Sequence, residues 1–256
     1  MKLKELLSIM GTIASERNYS QPFICGGTPR DKYLKKLDNV DDLDITTGDK
    51  TVHALAKDVA KVLGAKYQID THVAADGHTS IHLGDLKIDF SSNFITPGID
   101  KILEAKGINN PSDMQKELYS RDFTCNALLM SFDLKTIIDP IKRGLKDIQD
   151  KKIVCCLDPG ITFTTNKNRV VRAIYLAAKL GFDVDKSIID WVKQHPEIIR
   201  FGTERSLTEK LNKAMDYDPD KTLKLLSEMN VWNHIPISER LYPYYVKTLK
   251  GAKSNA

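Results

Sequence analysis

A glycine pair followed closely by an Asp-x-Asp step constrains this chain more than any other feature. The apolar run Pro22-Phe23-Ile24-Cys25 leads into Gly26-Gly27-Thr28-Pro29-Arg30-Asp31, and Asp42-Leu43-Asp44-Ile45 opens a second apolar run. In an extended strand, side chains at i and i+2 point the same way. Asp42 and Asp44 therefore share one face, while Leu43 and Ile45 point to a core. Two carboxylates at that spacing suit a hard divalent cation, above all Mg2+ bridging phosphate oxygens. The glycine pair lets the backbone approach a phosphate and offer its N–H groups. Each feature alone is common in turns and loops. Their order and closeness point to a site that handles a triphosphate.

The 256-residue chain is 41% hydrophobic and 28% charged, the make-up of a soluble globular protein with two or three packed units. A net charge of +4 permits an RNA or nucleotide partner without demanding one. No apolar run approaches the roughly 18 residues that cross a bilayer, and no membrane partner is expected. Leu3, Leu6, Leu7, Met10 and Ile13 recur at helical spacing, so the N-terminus reads as a packed amphipathic helix rather than a signal. Cys25, Cys125, Cys155 and Cys156 lie inside apolar runs without zinc-ligand spacing and read as buried thiols of a cytoplasmic protein. Internal repeats and low-complexity stretches are absent, and the oligomeric state stays open.

Short runs of strand character lie at 22–25, 43–47, 79–83, 86–92, 136–139 and 152–156, with a helical stripe of Val52, Leu55, Val59 and Val62 between. Interleaved strands and helices predict a mixed α/β (α+β) head over 1–158. From Pro159-Gly160 onward the pattern turns to helix only. Stripes run over 170–180, 188–192, 207–215 and 222–229, and predict a helical neck and short body over 159–256.

A third acid comes from Leu86-Lys87-Ile88-Asp89-Phe90, where alternation buries Ile88 and Phe90 and turns Asp89 the other way beside Lys87. Two acids on one strand and a third on a neighbour are what two-metal nucleotidyl transfer requires. An isolated Asp89 reads equally as a solvent-facing residue of an amphipathic strand. Further on, Arg121, Asp122 and Asn126 can bracket a nucleotide, with Arg121 on phosphate and the others on sugar hydroxyls. The plainer alternative is a helix start with a capping Asp. Asp139-Pro140 and Gly144 to Asp147 read as turn and cap, architecture more than chemistry.

Gly26-Gly27-x-x-Arg30-Asp31 with Asp42-x-Asp44 resembles the signature motif of the class II tRNA nucleotidyltransferases (CCA-adding enzymes) and the bacterial poly(A) polymerases. Both belong to the DNA polymerase β nucleotidyltransferase superfamily. Arg121-Asp122-Phe123-Thr124-x-Asn126-Ala127 resembles that family's second motif, and Asp139-Pro140…Gly144…Asp147 its third. Asp158-Pro159…Phe163…Arg169-x-x-Arg172-Ala173…Leu180-Gly181-Phe182 resembles the entry to its helical neck. The resemblance runs in order from residue 20 to about 235.

It implies that Asp42 and Asp44 hold Mg2+, with Asp89 as the third catalytic carboxylate. It implies a nucleotide site of Gly26, Gly27, Arg30 and Asp31, with the first three on the triphosphate, Arg121 on phosphate, and Asp122 with Asn126 sensing ribose. In the neck, the family's Glu-Asp-x-x-Arg template reads Thr165, Asn166, Lys167, Asn168, Arg169, with Arg172 a turn on. Arg169 is retained, while Asn166 replaces the carboxylate that reads the base edge. Pro29 and Ser120 also depart from the family pattern, and relatives of this class usually run longer, with body and tail domains.

The expected activity is addition of nucleotides from CTP and ATP to a tRNA 3′ end, as CCA or part of it, with pyrophosphate released. The alternatives are A-addition to other RNA 3′ ends, a stand-alone nucleotidyltransferase of a protein or small molecule, and a catalytically silent nucleotide- or RNA-binding remnant. The terminal stretch, Leu241 to Lys253, interleaves three tyrosines with three lysines. It fits either RNA stacking or a small helix packed on the neck.

Overall fold

A computed structural model describes residues 2–36, 42–70, 78–91, 96–201 and 204–246. Residue 92 of the expected strand over 86–92, and Lys247, Lys250 and Lys253 of the terminal stretch, lie outside the described residues. The chain divides into two compact units, Met1–Ile148 and Gln149–Ala256. The division falls ahead of the composition shift at 158/159 because the strand after it pairs within the second unit.

The first unit runs α1 (Leu3–Glu16), β1 (Phe23–Cys25), α2 (Gly27–Tyr33), β2 (Asp42–Thr46), α3 (Thr51–Leu63), β3 (Lys66–Asp70), β4 (His78–Leu83) and β5 (Leu86–Phe90). It continues with α4 (Ile99–Ala105), α5 (Asp113–Tyr119), a 3-10 turn at Thr124–Asn126, β6 (Leu129–Met130), β7 (Ile137–Ile138) and α6 (Gly144–Gln149). Seven strands form one mixed sheet in the order β3-β4-β5-β2-β1-β6-β7, in which β2 and β5 alone among the neighbours are parallel.

The alternation of β1, β2 and β5 decides which residues face the site. Ile24, Leu43, Ile45, Ile88 and Phe90 are all fully buried and form one core with Leu6, Leu7 and Met10 of α1 and Val52, Leu55 and Val59 of α3. Each such side chain contributes about 1.5–3 kcal/mol on leaving water. Helix α3 stops at Gly64, whose φ of +60° is left-handed, so its N–H and that of Ala65 close the last turn on Lys61 and Ala60. With one sheet face sealed by α1 and α3, the intervening residues Cys25, Asp42, Asp44, Lys87 and Asp89 point to the other.

The second unit holds β8 (Lys152–Ile153), α7 (Pro159–Thr165), α8 (Arg169–Leu180), β9 (Asp183–Val184), α9 (Lys186–Gln194), α10 (Glu204–Tyr217) and α11 (Pro219–Glu228), with 3-10 turns at Pro196–Phe201 and Trp232–His234. It is helical apart from the two-residue parallel pair of β8 and β9. Helix α8 is its axis: Val170, Ala173, Ile174 and Ala177 are fully buried, and α10 and α11 pack on it. Asp158 caps α7 by accepting from Gly160 N at 2.8 Å, and Pro159 takes the first helical position. Past the last 3-10 turn, Tyr245 packs its ring on Trp232, whereas Tyr242 and Tyr244 stay exposed. No helix among the described residues is long and apolar enough to cross a membrane.

Candidate active site

Strand β1 ends at Cys25, and the backbone swings into α2 through Gly26 with φ +71° and ψ −132°. A Cβ placed on Gly26 would lie 2.2 Å from Asp44 Oδ2. Glycine is required twice here, by the backbone angle and by the carboxylate lying over it. Gly26→Ala is expected to leave the far-ultraviolet circular dichroism unchanged while pushing Asp44 aside. On the expectation that Asp44 acts in the reaction, displacing it by about 1 Å can cost about 10²-fold in rate. Turnover within three-fold of wild type would sink this account.

The acids form a ladder across the two parallel strands. Asp44 lies opposite Asp89, and Asp42 opposite Lys87. Asp42 is exposed and Asp44 half-buried, while Asp89 is only 5% exposed. Ser80 of β4 flanks Asp89 on its other side. Lys87 Nζ is bonded to Asp89 Oδ2. Burial works against the charge on Lys87. The hydrogen bond and charge of Asp89, backed by Asp42 and Asp44, outweigh it and hold the lysine pKa above its ordinary value. Among the described residues, no group of three His, Cys, Asp or Glu side chains is arranged to hold a metal ion. The pair Asp42 and Asp44, with Asp89 beside them, offers carboxylate oxygens only, which suits a hard cation. The lysine ammonium stands among them as a cation already.

Arg30 and Arg121 are both buried and paired within the head. Arg30 is 3% exposed; its Nε donates to Asp31 Oδ1 at 2.8 Å and its Nη1 to Asn126 Oδ1 at 2.5 Å. Asn126 Nδ2 in turn donates to Asp122 Oδ1 at 3.2 Å, an oxygen that also accepts from Phe123 N at 2.8 Å. Arg30, Asp31, Asp122 and Asn126 are therefore one network, anchored on the 3-10 turn rather than on a helix start. Arg121 is buried, with its Nη2 2.6 Å from Glu117 Oε1 and 2.9 Å from Cys25 Sγ. It reaches the strand that carries the glycine pair while its charge is matched by Glu117.

The third motif is scaffold. Thr124 Oγ1 donates to Asp147 Oδ2 at 2.8 Å, and a Cβ on Gly144 would meet the Thr124 carbonyl at 2.5 Å. The helix α6 start thus packs directly under the turn that presents Asn126. All four cysteines are buried and unbridged. Burial pushes the Cys125 thiol up to about 12 and Cys25 higher still, so both act as packing groups.

Two features have no counterpart among the sequence motifs. Glu117 is one; its i,i+4 spacing to Arg121 is the available signal. The other is a cleft of about 460 Å³ lined by Lys32, Tyr33, Lys35, Lys135 and Ile137, past the far end of α2 from the glycines. It joins residues a hundred positions apart and leaves no local pattern.

In the second unit, Asn166 caps the end of α7. It is exposed, and its Oδ1 accepts from Asn168 N at 3.1 Å. Arg169 opens α8 and is 6% exposed, its Nη1 reaching the Thr162 carbonyl at 3.4 Å. Arg172, one turn on, is half-buried. Burial first, and the Arg172 charge second, lower the pKa of Lys210.

The sequence profile described as "Poly A polymerase head domain" matches residues 22–154, just over half of the chain. The A-adding tRNA nucleotidyltransferase of Aquifex aeolicus is 30% identical over 180 residues, which cover 67% of this chain and 20% of the relative. The tRNA nucleotidyltransferase of Schizosaccharomyces pombe is 25% identical over 229 residues, 84% of this chain and 46% of its own. A tRNA nucleotidyltransferase solved with a primer tRNA and an incoming ATP analog superposes with a TM-score of 0.66 at 26% identity, covering 88% of this chain and 62% of that one. The chain spans between about a fifth and about half the length of these two curated relatives. Its glycine pair, paired aspartates and Arg-Asp motif fall inside the matched head, and the chain belongs to the family of class II tRNA nucleotidyltransferases and bacterial poly(A) polymerases.

Proposed function

We propose that the chain is an RNA 3′-end nucleotidyltransferase that adds nucleotides from CTP or ATP to tRNA, as CCA or part of it. The observation that carries this reading is the ladder of Asp42, Asp44 and Asp89 on the sheet face away from the α1–α3 core, with Asp44 lying over Gly26. On this reading residues 1–158 act as the catalytic head and 159–256 as the neck and body that meet the base and the RNA.

Asp42 and Asp44 hold Mg2+, with Asp89 beside them; the donor set fits, since a lysine ammonium already occupies the cluster. Bound there, the metal supplies charge neutralisation on the triphosphate and a lowered pKa for the attacking 3′-hydroxyl. The backbone at Gly26 and Gly27 admits the triphosphate close to the strand end. Arg30, buried and tied to Asp31 and Asn126, is a positioning residue that fixes Asn126 and Asp122 for the ribose. Arg121 braces the Cys25 end of β1, next to the glycines. Three lysines around Tyr33 give a polyanionic strand a place to lie on the head. Four buried cysteines with no disulfide among them support a cytoplasmic setting.

A second reading, A-addition alone, is favoured by the A-adding name of the Aquifex aeolicus relative. At the template position Asn166 presents an amide rather than a carboxylate, its oxygen accepting from Asn168 N. An amide offers donors as well as an acceptor, and so tolerates the carbonyl edge of uracil or guanine that a carboxylate repels.

One experiment separates the readings: tRNA transcripts ending at the discriminator base, at C and at CC, each incubated with one labelled NTP at a time. CTP use on the first two supports CCA addition; ATP use on the last alone supports the second reading; no incorporation on any sinks both. In the same assay Asn166→Asp is expected to raise discrimination against UTP by several-fold, since a carboxylate repels the carbonyl edge that an amide tolerates. Unchanged ratios among the four NTPs would remove Asn166 from base reading.

A further inference from the structure

Asp42, Asp44, Lys87 and Asp89 occupy adjacent corners of the β2–β5 ladder, all on the face away from the α1–α3 core. Neighbouring strands lie about 4.8 Å apart, so directly opposed side chains are in reach of one another. Carboxylates directly opposite each other repel. Here Asp44 faces Asp89, and the repulsion is strengthened because Asp89 is almost wholly withdrawn from water. Such a cluster needs a cation whether or not a metal is bound, and Lys87 provides one.

We propose that Lys87 is the resident counter-ion of the metal site, and that a divalent cation competes with its ammonium for the charge of Asp89. Lys87 then sets how much Mg2+ the head requires. The inference rests on Asp42 and Asp44 holding the metal with Asp89 beside them, as proposed above.

The two partners differ in their freedom. The Lys87 side chain is 43% exposed and that of Asp89 8%. The lysine can leave by rotating its stem toward solvent, with no repacking of the sheet. The carboxylate stays where the strand puts it. Lysine suits such a place: it is a compact point charge on a flexible four-carbon stem, with no planar fork to lock it to one geometry. A positive charge already on a carboxylate weakens its hold on a second cation. Lysine and metal therefore compete for Asp89. In the metal-free state the ammonium keeps the acids from spreading apart, so the site is ordered before substrate arrives.

The test uses the full chain as wild type, Lys87→Gln, Lys87→Arg and Asp44→Asn, with Mg2+ alone and no nucleotide. Isothermal calorimetry reads the half-saturating Mg2+, and thermal unfolding is followed in chelator and in Mg2+. Lys87→Gln is expected to unfold about 2–4 °C earlier than wild type in chelator. It is expected to reach half-saturation at about five-fold lower Mg2+ or less, because one nearby positive charge has gone. Lys87→Arg keeps the charge and should track wild type in the calorimetry. Equal half-saturation in Lys87→Gln and wild type would overturn the role of Lys87 while leaving the carboxylates as ligands. A higher value in Lys87→Gln would overturn it too, by making lysine a helper of the metal. Uptake in none of the proteins would overturn both this inference and the metal assignment. Loss of uptake in Asp44→Asn alone, with the expected Lys87→Gln shift, supports both.

Discussion

Replacing Asp44 with asparagine is expected to lower kcat for nucleotide incorporation on the order of 10³-fold or more, the loss of charge at the centre where transition-state charge is neutralised. The fold should be indifferent to the change. Leu43 and Ile45, on either side, are fully buried and carry the strand's packing, whereas Asp44 is half-buried on the opposite face. Asparagine keeps the shape that lies over Gly26. It also removes one of two like charges opposed across β2 and β5. The melting temperature in chelator should therefore change little, since the attraction of Asp44 for Lys87 is lost along with its repulsion of Asp89. Activity then falls while stability holds, which a general loss of structure cannot imitate. A kcat within ten-fold of wild type in saturating Mg2+ would sink the assignment of Asp44 to the reacting centre.

The parts of the molecule that are legible in the sequence are those written in near neighbours. Asp42 and Asp44 are two residues apart on one strand, so the two-residue period of an extended chain is enough to put them on one face. The same rule places Leu43, Ile45, Ile88 and Phe90 in the core, where they are fully buried. Strands β2, β4 and β5 begin and end within a residue or two of the expected apolar runs. Strand β3 is not foreshadowed, because Lys66-Tyr67-Gln68-Ile69-Asp70 offers only two apolar residues, and it lies at the sheet edge. Strand β6 is two residues inside the apolar run 127–130, where neither length nor period separates strand from helix.

The site divides along the same line. Gly26 and the aspartates are local features, and their juxtaposition follows from one antiparallel pairing of Cys25 with Asp44. The two arginines are different. Arg30 meets Asn126, and Arg121 meets Cys25, each across 96 positions of sequence. No spacing rule reaches that far. A buried, paired arginine and an exposed one look alike in a sequence; only the packing around the guanidinium tells them apart.

Removing Glu117 tests that distinction by stability. Glu117 is fully buried and Arg121 is 9% exposed, and Oε1 of the first accepts from both Nε and Nη2 of the second. Its other oxygen, Oε2, is buried without a hydrogen-bond partner among the described residues. A buried pair left partly unsatisfied adds little net stability, since desolvation offsets attraction. Breaking it by removing one partner costs about 3–5 kcal/mol, because a charge is left alone in the interior. Glu117→Ala is accordingly expected to lower the melting temperature by about 6–20 °C, at about 2–4 °C per kcal/mol for a chain of this size. The double replacement Glu117→Leu with Arg121→Met removes both charges at similar volume and should recover most of that loss. Activity of the double variant then decides what Arg121 is for. If it is stable and turns over normally, Arg121 only fills the space behind Cys25. If it is stable with kcat reduced by about 10²-fold or more, the guanidinium holds β1 and its glycines in register for the reaction. A Glu117→Ala protein that melts with wild type would sink the buried ion pair itself.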